Sequence, residues 1–273
     1  MKLTLTPEKK FEVIHYIKTS LLSFIIFGTS LGLGNTVVDF VEMGDYFSFS
    51  LETALMFILF AFLLLTSFAL SVGCWNRYDQ YLFVLIPMGL GVFFSLEHLD
   101  PIQALTFASI FSLIMVLYMY RSLKLKSLLL KFIPGLIFSD ATKALMLLFS
   151  LLSAFAIFIN FENVNHPKTL ADYVAEAVSV QIQNSSGGPF EILKNANIPL
   201  DELIKTNVEN FLEPFKQFTM PIIAFLVFSY FQLLGWISYT AYSFLVDPVF
   251  WAGKKFNLFK TTEEDVKKEN LTF

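Results

Sequence analysis

The chain has 273 residues, of which 55% are hydrophobic and only 15% charged, with a formal net charge of −4. Soluble domains carry about 25% charged residues, so this chain lacks the polar surface needed to stay in water. Its single cysteine, Cys74, excludes an intramolecular disulfide and a cysteine-based zinc cluster.

Residues 1–19 form an amphipathic N-terminus expected in the cytoplasm. Over 7–18, lysines and glutamates alternate with Phe11, Ile14 and Ile17, a spacing of three that gathers the apolar side chains on one helical face. The pattern predicts a short helix lying on the membrane surface, or else an extension of the first span into water. No cleavable signal peptide is expected, because the first apolar run begins only at Ser20 and no small-x-small site follows it.

A spanning helix needs about 20 mostly apolar residues. The first segment to qualify is 20–38. It carries a small-residue series, Gly28 and Gly32 with Ser30 and Gly34 offset from them. Small residues four apart let two helices approach closely, so Gly28, Gly32 and Gly34 are expected to form a packing face. An alternative is that 32–35 unwinds and offers backbone carbonyls to a ligand, with Asn35 lining the cavity. The next spans are 53–73, 81–96 and 101–120; the third is short and contains Pro87. Glu97, His98 and Asp100 lie at its outer end, and with His166 they form a conceivable metal site, imidazole and carboxylate being ordinary ligands. Their spacing matches no motif, and no cofactor or metal is expected.

Residues 121–138 read RSLKLKSLLLKFIPGLIF, basic and leucine-rich with no acid. They predict an interfacial helix whose lysines, over 121–131, meet anionic headgroups at about 1 kcal/mol per basic residue. Pro134-Gly135 should break it, and Ser139 or Asp140 should cap the span 142–160. Phe138-Ser139-Asp140 is similar to a three-residue signature of a lysosomal and bacterial potassium-channel family, which has it at the start of a first span. Here the string opens the fifth span, and the likeness extends no further.

The segment 161–218 is expected to be an extracytoplasmic helical hairpin. Leu170, Tyr173, Val174, Ala177 and Val178 follow helical spacing, as do Leu203, Ile204, Val208, Phe211 and Leu212. The string from Asn184 to Pro189 separates the two stretches. Span six, 219–246, places Gln232, Gly235, Ser238 and Tyr239 on one stripe, which faces other helices or lines a polar cavity. The tail 247–273 begins with Trp251 and lysines at the boundary and ends in a mixed-charge run.

Six spans put fifteen of the nineteen basic residues on one side. The short loops on the other side are acidic, and the remaining lysines (168, 194, 205 and 216) lie in the long outer segment. The chain therefore reads as an all-α polytopic membrane protein with six transmembrane helices and both termini in the cytoplasm. A bacterial-type cell membrane fits; the Asn184-Ser185-Ser186 sequon would matter only in a eukaryotic secretory membrane.

Ionisable residues sit at the edges of the spans, which argues against proton pumps, ion-coupled transporters and intramembrane proteases. GxSxG, HExxH, Walker and GxGxxG patterns are missing. Three functions remain. The first is a non-catalytic protein that binds a partner through 161–218 or 252–273, or senses the envelope. The second is a channel or carrier for an uncharged or lipid-like substrate between spans one and six. The third is an outer-face lipid-modifying enzyme using Glu97, His98 and Asp100. The bilayer itself is the surest partner, and no nucleic acid is expected.

Overall fold

The computed structural model describes residues 7–43, 50–74, 81–96, 101–129, 132–160, 206–207, 210, 214 and 218–256. The candidate metal residues Glu97, His98, Asp100 and His166, nearly all of 161–218, and the tail beyond Phe256 lie outside them.

Six helices carry the described chain: α1 (Pro7–Glu42), α2 (Leu51–Cys74), α3 (Leu82–Ser95), α4 (Pro101–Leu128), α5 (Pro134–Asn160) and α6 (Thr219–Lys255). Apolar segments of this length form helices because lipid offers the backbone no hydrogen bonds, so each segment must satisfy its own. Five of the six are long and apolar enough to cross a membrane. The sixth, α3, has 14 residues, or about 21 Å, against a hydrocarbon core of about 30 Å. The protein is an all-α multi-pass membrane protein whose exposed apolar faces meet lipid.

Helix starts follow local chemistry. Pro7, Pro101 and Pro134 each occupy the first helical position, where the missing N–H costs nothing and φ is already set. At α2 the Ser50 hydroxyl accepts the Thr53 N–H at 3.0 Å, an N-cap.

Several boundaries differ from the sequence reading. Of the two readings of 7–18, the structure has the extension of span one and not the separate surface helix, since no proline or glycine interrupts the stretch. Residues 121–138 are not one interfacial helix. Arg121–Leu128 prolongs α4, and α5 starts at Pro134. The proline ring disfavours helical geometry at Ile133, whose carbonyl accepts the first N–H groups of α5. Ser139 and Asp140 consequently lie inside α5 and do not cap it. Span six extends through Pro248 to Lys255.

The helices form two layers of three. In one, α1 lies between α2 and α3; in the other, α5 lies between α4 and α6. Across the layers α3 faces α4, α1 faces α5 and α2 faces α6. Rings fill the space between. Phe231 meets Phe57 at 5.1 Å and Phe40 at 5.4 Å, joining α6, α2 and α1. Phe111 meets Phe149 at 5.3 Å, and Phe107 stacks on Phe155 at 4.6 Å, joining α4 to α5.

Small residues set the α1–α3 seam. These helices run parallel, and Ser30-xxx-Gly34 meets Gly91-xxx-Ser95 in register. The Ser30 hydroxyl sits where a Gly91 side chain would begin, and Ser95 sits likewise against Gly34. A Cβ on Gly91 would also lie 2.9 Å from the Leu31 nitrogen and the Phe27 oxygen, so the two backbones are in near contact. Gly32 receives the Phe60 ring of α2, whereas Gly28 faces open space. The packing face expected of Gly28, Gly32 and Gly34 is thus divided between two neighbours, with Gly28 in neither.

A hydroxyl on α1 also answers the proline in α3. Pro87 has no N–H for the carbonyl four residues earlier, that of Phe83. Ser23 Oγ lies 2.6 Å from that oxygen and 2.9 Å from Thr19 O, so its single proton can be donated to either. Ser23→Ala should cost about 1 kcal/mol by removing the hydrogen bond from Ser23 to the Phe83 carbonyl. In a Pro87→Ala background, where the backbone N–H returns, the same change should cost almost nothing. Unfolding of the four proteins in mixed micelles measures that coupling; equal costs in both backgrounds would refute the link.

Candidate polar seam between α5 and α6

The stripe read on span six faces α5. Gly235 allows a close approach, since a Cβ there would lie 3.0 Å from Met146 Cβ. From that contact the stripe runs to Gln232 in one direction and to Tyr239 and Tyr242 in the other, at spacings of three and four. On α5 the matching positions are Ser139, Thr142, Met146, Ser150 and Ser153, so most side chains along the seam are polar.

Most of these groups are already engaged. Ser139 and Tyr239 share a hydrogen bond of 3.0 Å. Thr142, Ser150 and Ser238 each return their hydroxyl to the carbonyl four residues earlier, at 2.8, 3.0 and 2.8 Å. Such self-satisfaction lets serine and threonine sit inside a membrane helix at low cost. Two atoms differ. The Tyr242 hydroxyl and Gln232 Oε1 are buried with no hydrogen-bond partner among the described residues. Tyr242 is 1% exposed.

The end of the seam nearest Lys255 gathers charge. Arg121 Nη2 meets Asp140 Oδ2 at 3.0 Å, tying α4 to α5. The arginine is largely exposed and the aspartate partly so, so the pair contributes little stability. Asp247 Oδ1 accepts the Gly135 N–H at 3.4 Å, a carboxylate placed by α6 at the positive end of α5. Lys126 Nζ donates to Gly73 O at 2.7 Å, supplying a donor to a terminal carbonyl of α2. Lys143 Nζ stands over the Tyr239 ring, 5.1 Å from its centroid. Phe132, Phe138 and Phe250 close this end, with Gly73 against the Phe250 ring.

The other expected cavity residue is elsewhere. Asn35 is on α1, exposed, and α1 is helical through 32–35, so no unwound carbonyls appear there. Helices α1 and α6 meet through aromatic rings, with Phe40 stacked on Tyr230 at 5.7 Å. The polar partner of α6 is α5. Sequence reading did not single out Tyr242, Ser139 or Lys143 for this seam. The signal for Tyr242 was its position three residues after Tyr239 on the same stripe.

Chemically the seam offers hydrogen bonds. Its side-chain hydroxyl pair, Ser139 and Tyr239, has Lys143 over the Tyr239 ring face. Among the described residues no three histidine, cysteine, aspartate or glutamate side chains cluster as metal ligands would. Comparison of the chain with protein-family models, curated proteins and solved structures finds no match.

Proposed function

We propose that this chain is a non-catalytic membrane scaffold that holds residues 161–218 outside the membrane, where they bind a protein partner or respond to the envelope. The observation that carries this reading is the α5–α6 pair. These two helices lead into and out of 161–218, and they are joined at mid-helix by the Gly235–Met146 approach and, further from that segment, by the Ser139–Tyr239 hydrogen bond. A rigid base of this kind suits presentation of a segment better than turnover of a substrate. The basic residues at the opposite end favour an inner-side location for both termini, in a bacterial-type cell membrane, with 121–131 against anionic headgroups.

Photocrosslinking in native membranes tests the reading. A crosslinker at Tyr173 or Ile204 should give one discrete protein adduct. Replacing 161–218 by a short Gly-Ser linker should leave the bundle folded and abolish partner capture by the full chain. Adducts only to lipid at both positions would overturn it.

A second reading is a carrier for an uncharged or lipid-like substrate. It is supported by the unpartnered Tyr242 hydroxyl and Gln232 Oε1 in the seam. Transport by the protein in vesicles, lost on Tyr242→Phe without loss of folding, would favour it over the scaffold.

A further inference from the structure

The outward face of α5 carries one stripe of exposed and half-exposed residues: Leu136, Asp140, Lys143, Leu147, Leu151 and Phe158. The four apolar members meet lipid. Lys143 is out of place among them. It lies nine residues into α5 from Pro134, about 14 Å along the axis, and is exposed. Its ammonium has the Tyr239 ring beneath it but no carboxylate within ion-pair distance among the described residues. Asp140, one turn earlier, is engaged by Arg121. Lys124 stands one turn beyond Arg121 on α4 and is also exposed. Arg121, Lys124 and Lys143 against Asp140 leave an excess of positive charge facing lipid.

An ammonium on a lipid-facing stripe is costly without a counter-charge. Within reach of the boundary, that charge is available from a lipid phosphate. The geometry points to a discrete binding site for an anionic phospholipid, its headgroup at Lys143 and Arg121 and its acyl chains along Leu147, Leu151 and Phe158. The apolar stripe continuing from Lys143 fits a ligand with a hydrocarbon tail, which a free phosphate ion lacks. Tyr239 positions the lysine: its ring holds the ammonium by a cation–π contact, and its hydroxyl is fixed by Ser139. The site borrows Arg121 from the basic stretch 121–131 but is set apart from general attraction to it by Lys143 on α5, and it does not depend on the scaffold reading.

Trp236 supplies the probe. It is exposed and lies one turn from Tyr239 on α6. With Trp75 and Trp251 replaced by phenylalanine, Trp236 is the sole indole reporter. The full chain is reconstituted in phosphatidylcholine vesicles that contain a low mole fraction of chain-brominated phosphatidylglycerol or, for comparison, brominated phosphatidylcholine. Quenching should show the anionic lipid enriched about fivefold near Trp236, the factor that one basic residue contributes at a charged membrane surface. Lys143→Gln should remove the enrichment, while Lys143→Arg and Lys124→Gln should retain it, and millimolar inorganic phosphate should leave it unchanged. Equal losses from Lys143→Gln and Lys124→Gln would mean diffuse attraction and overturn the site. So would competition by inorganic phosphate, or enrichment that survives Lys143→Gln.

Discussion

Gly91→Leu is expected to abolish the folded bundle. A Cβ at this position would lie 2.9 Å from two backbone atoms of α1, the Leu31 nitrogen and the Phe27 oxygen, and would collide with the Ser30 hydroxyl. Side chains can rotate away from an intruder; backbone cannot, so α1 and α3 would have to separate. Overpacking a core costs about 1–3 kcal/mol, and a clash with backbone should exceed the top of that range. Gly28→Leu is the matched control. It lies on α1 outside the contact with α3 and meets nothing within 4 Å, so it should fall within about 0.5 kcal/mol of the parent. Unfolding of both purified variants in mixed micelles, with size-exclusion profiles, measures the contrast. Ser30→Gly should rescue Gly91→Ala only in part, because the two backbone contacts remain. A Gly91→Leu protein as stable as the parent would show that α1 and α3 do not approach in this way.

Phe231→Ala should produce the second-largest loss. Its ring is fully buried and touches rings from two other helices, Phe57 of α2 and Phe40 of α1. In a membrane the separated helices keep Phe231 in lipid, so little transfer from water is lost. What is lost is contact and the cavity left behind, which places the cost near the lower end for such truncations, about 3 kcal/mol. Phe231→Leu should recover much of it. A double-mutant cycle with Phe57→Ala should give coupling of about 1 kcal/mol, as aromatic pairs do. Additive losses would mean that the two rings pack independently.

The spans were legible because hydropathy and length are local properties. Residues 53–73 against Leu51–Cys74 shows how closely a lipid-thickness argument locates a helix. The ends of α4 and α5 were not legible in the same way. Basic residues marked an interface at 121, but α4 continues through them to Leu128, and α5 begins only at Pro134. Charge marks where lipid ends, not where a helix ends; here α4 runs about two turns past Arg121. At the seam, spacing alone put Gln232, Gly235, Ser238 and Tyr239 on one stripe, yet it carries no information on which helix lies opposite. Asn35 shows the same limit. Its neighbour Gly34 packs against Ser95 of α3, and one residue further round the helix the side chain turns outward. The Lys143–Tyr239 contact joins residues from distant parts of the chain, which no local pattern reveals.

The pairing of α1 with α3 also constrains how the molecule is made. Two helices that run in the same direction cannot be joined by a tight hairpin, so the ribosome must deliver α2, turned the opposite way, before α3 exists to dock. Until then the notch at Ser30 and Gly34 stands open, and the Ser23 hydroxyl has only its own helix to bond. Nascent α1 therefore waits in the membrane as an incomplete partner. Its shelter during that interval must come from lipid or from the insertion machinery, and chains stalled before Leu82 should be those most exposed to quality-control proteolysis.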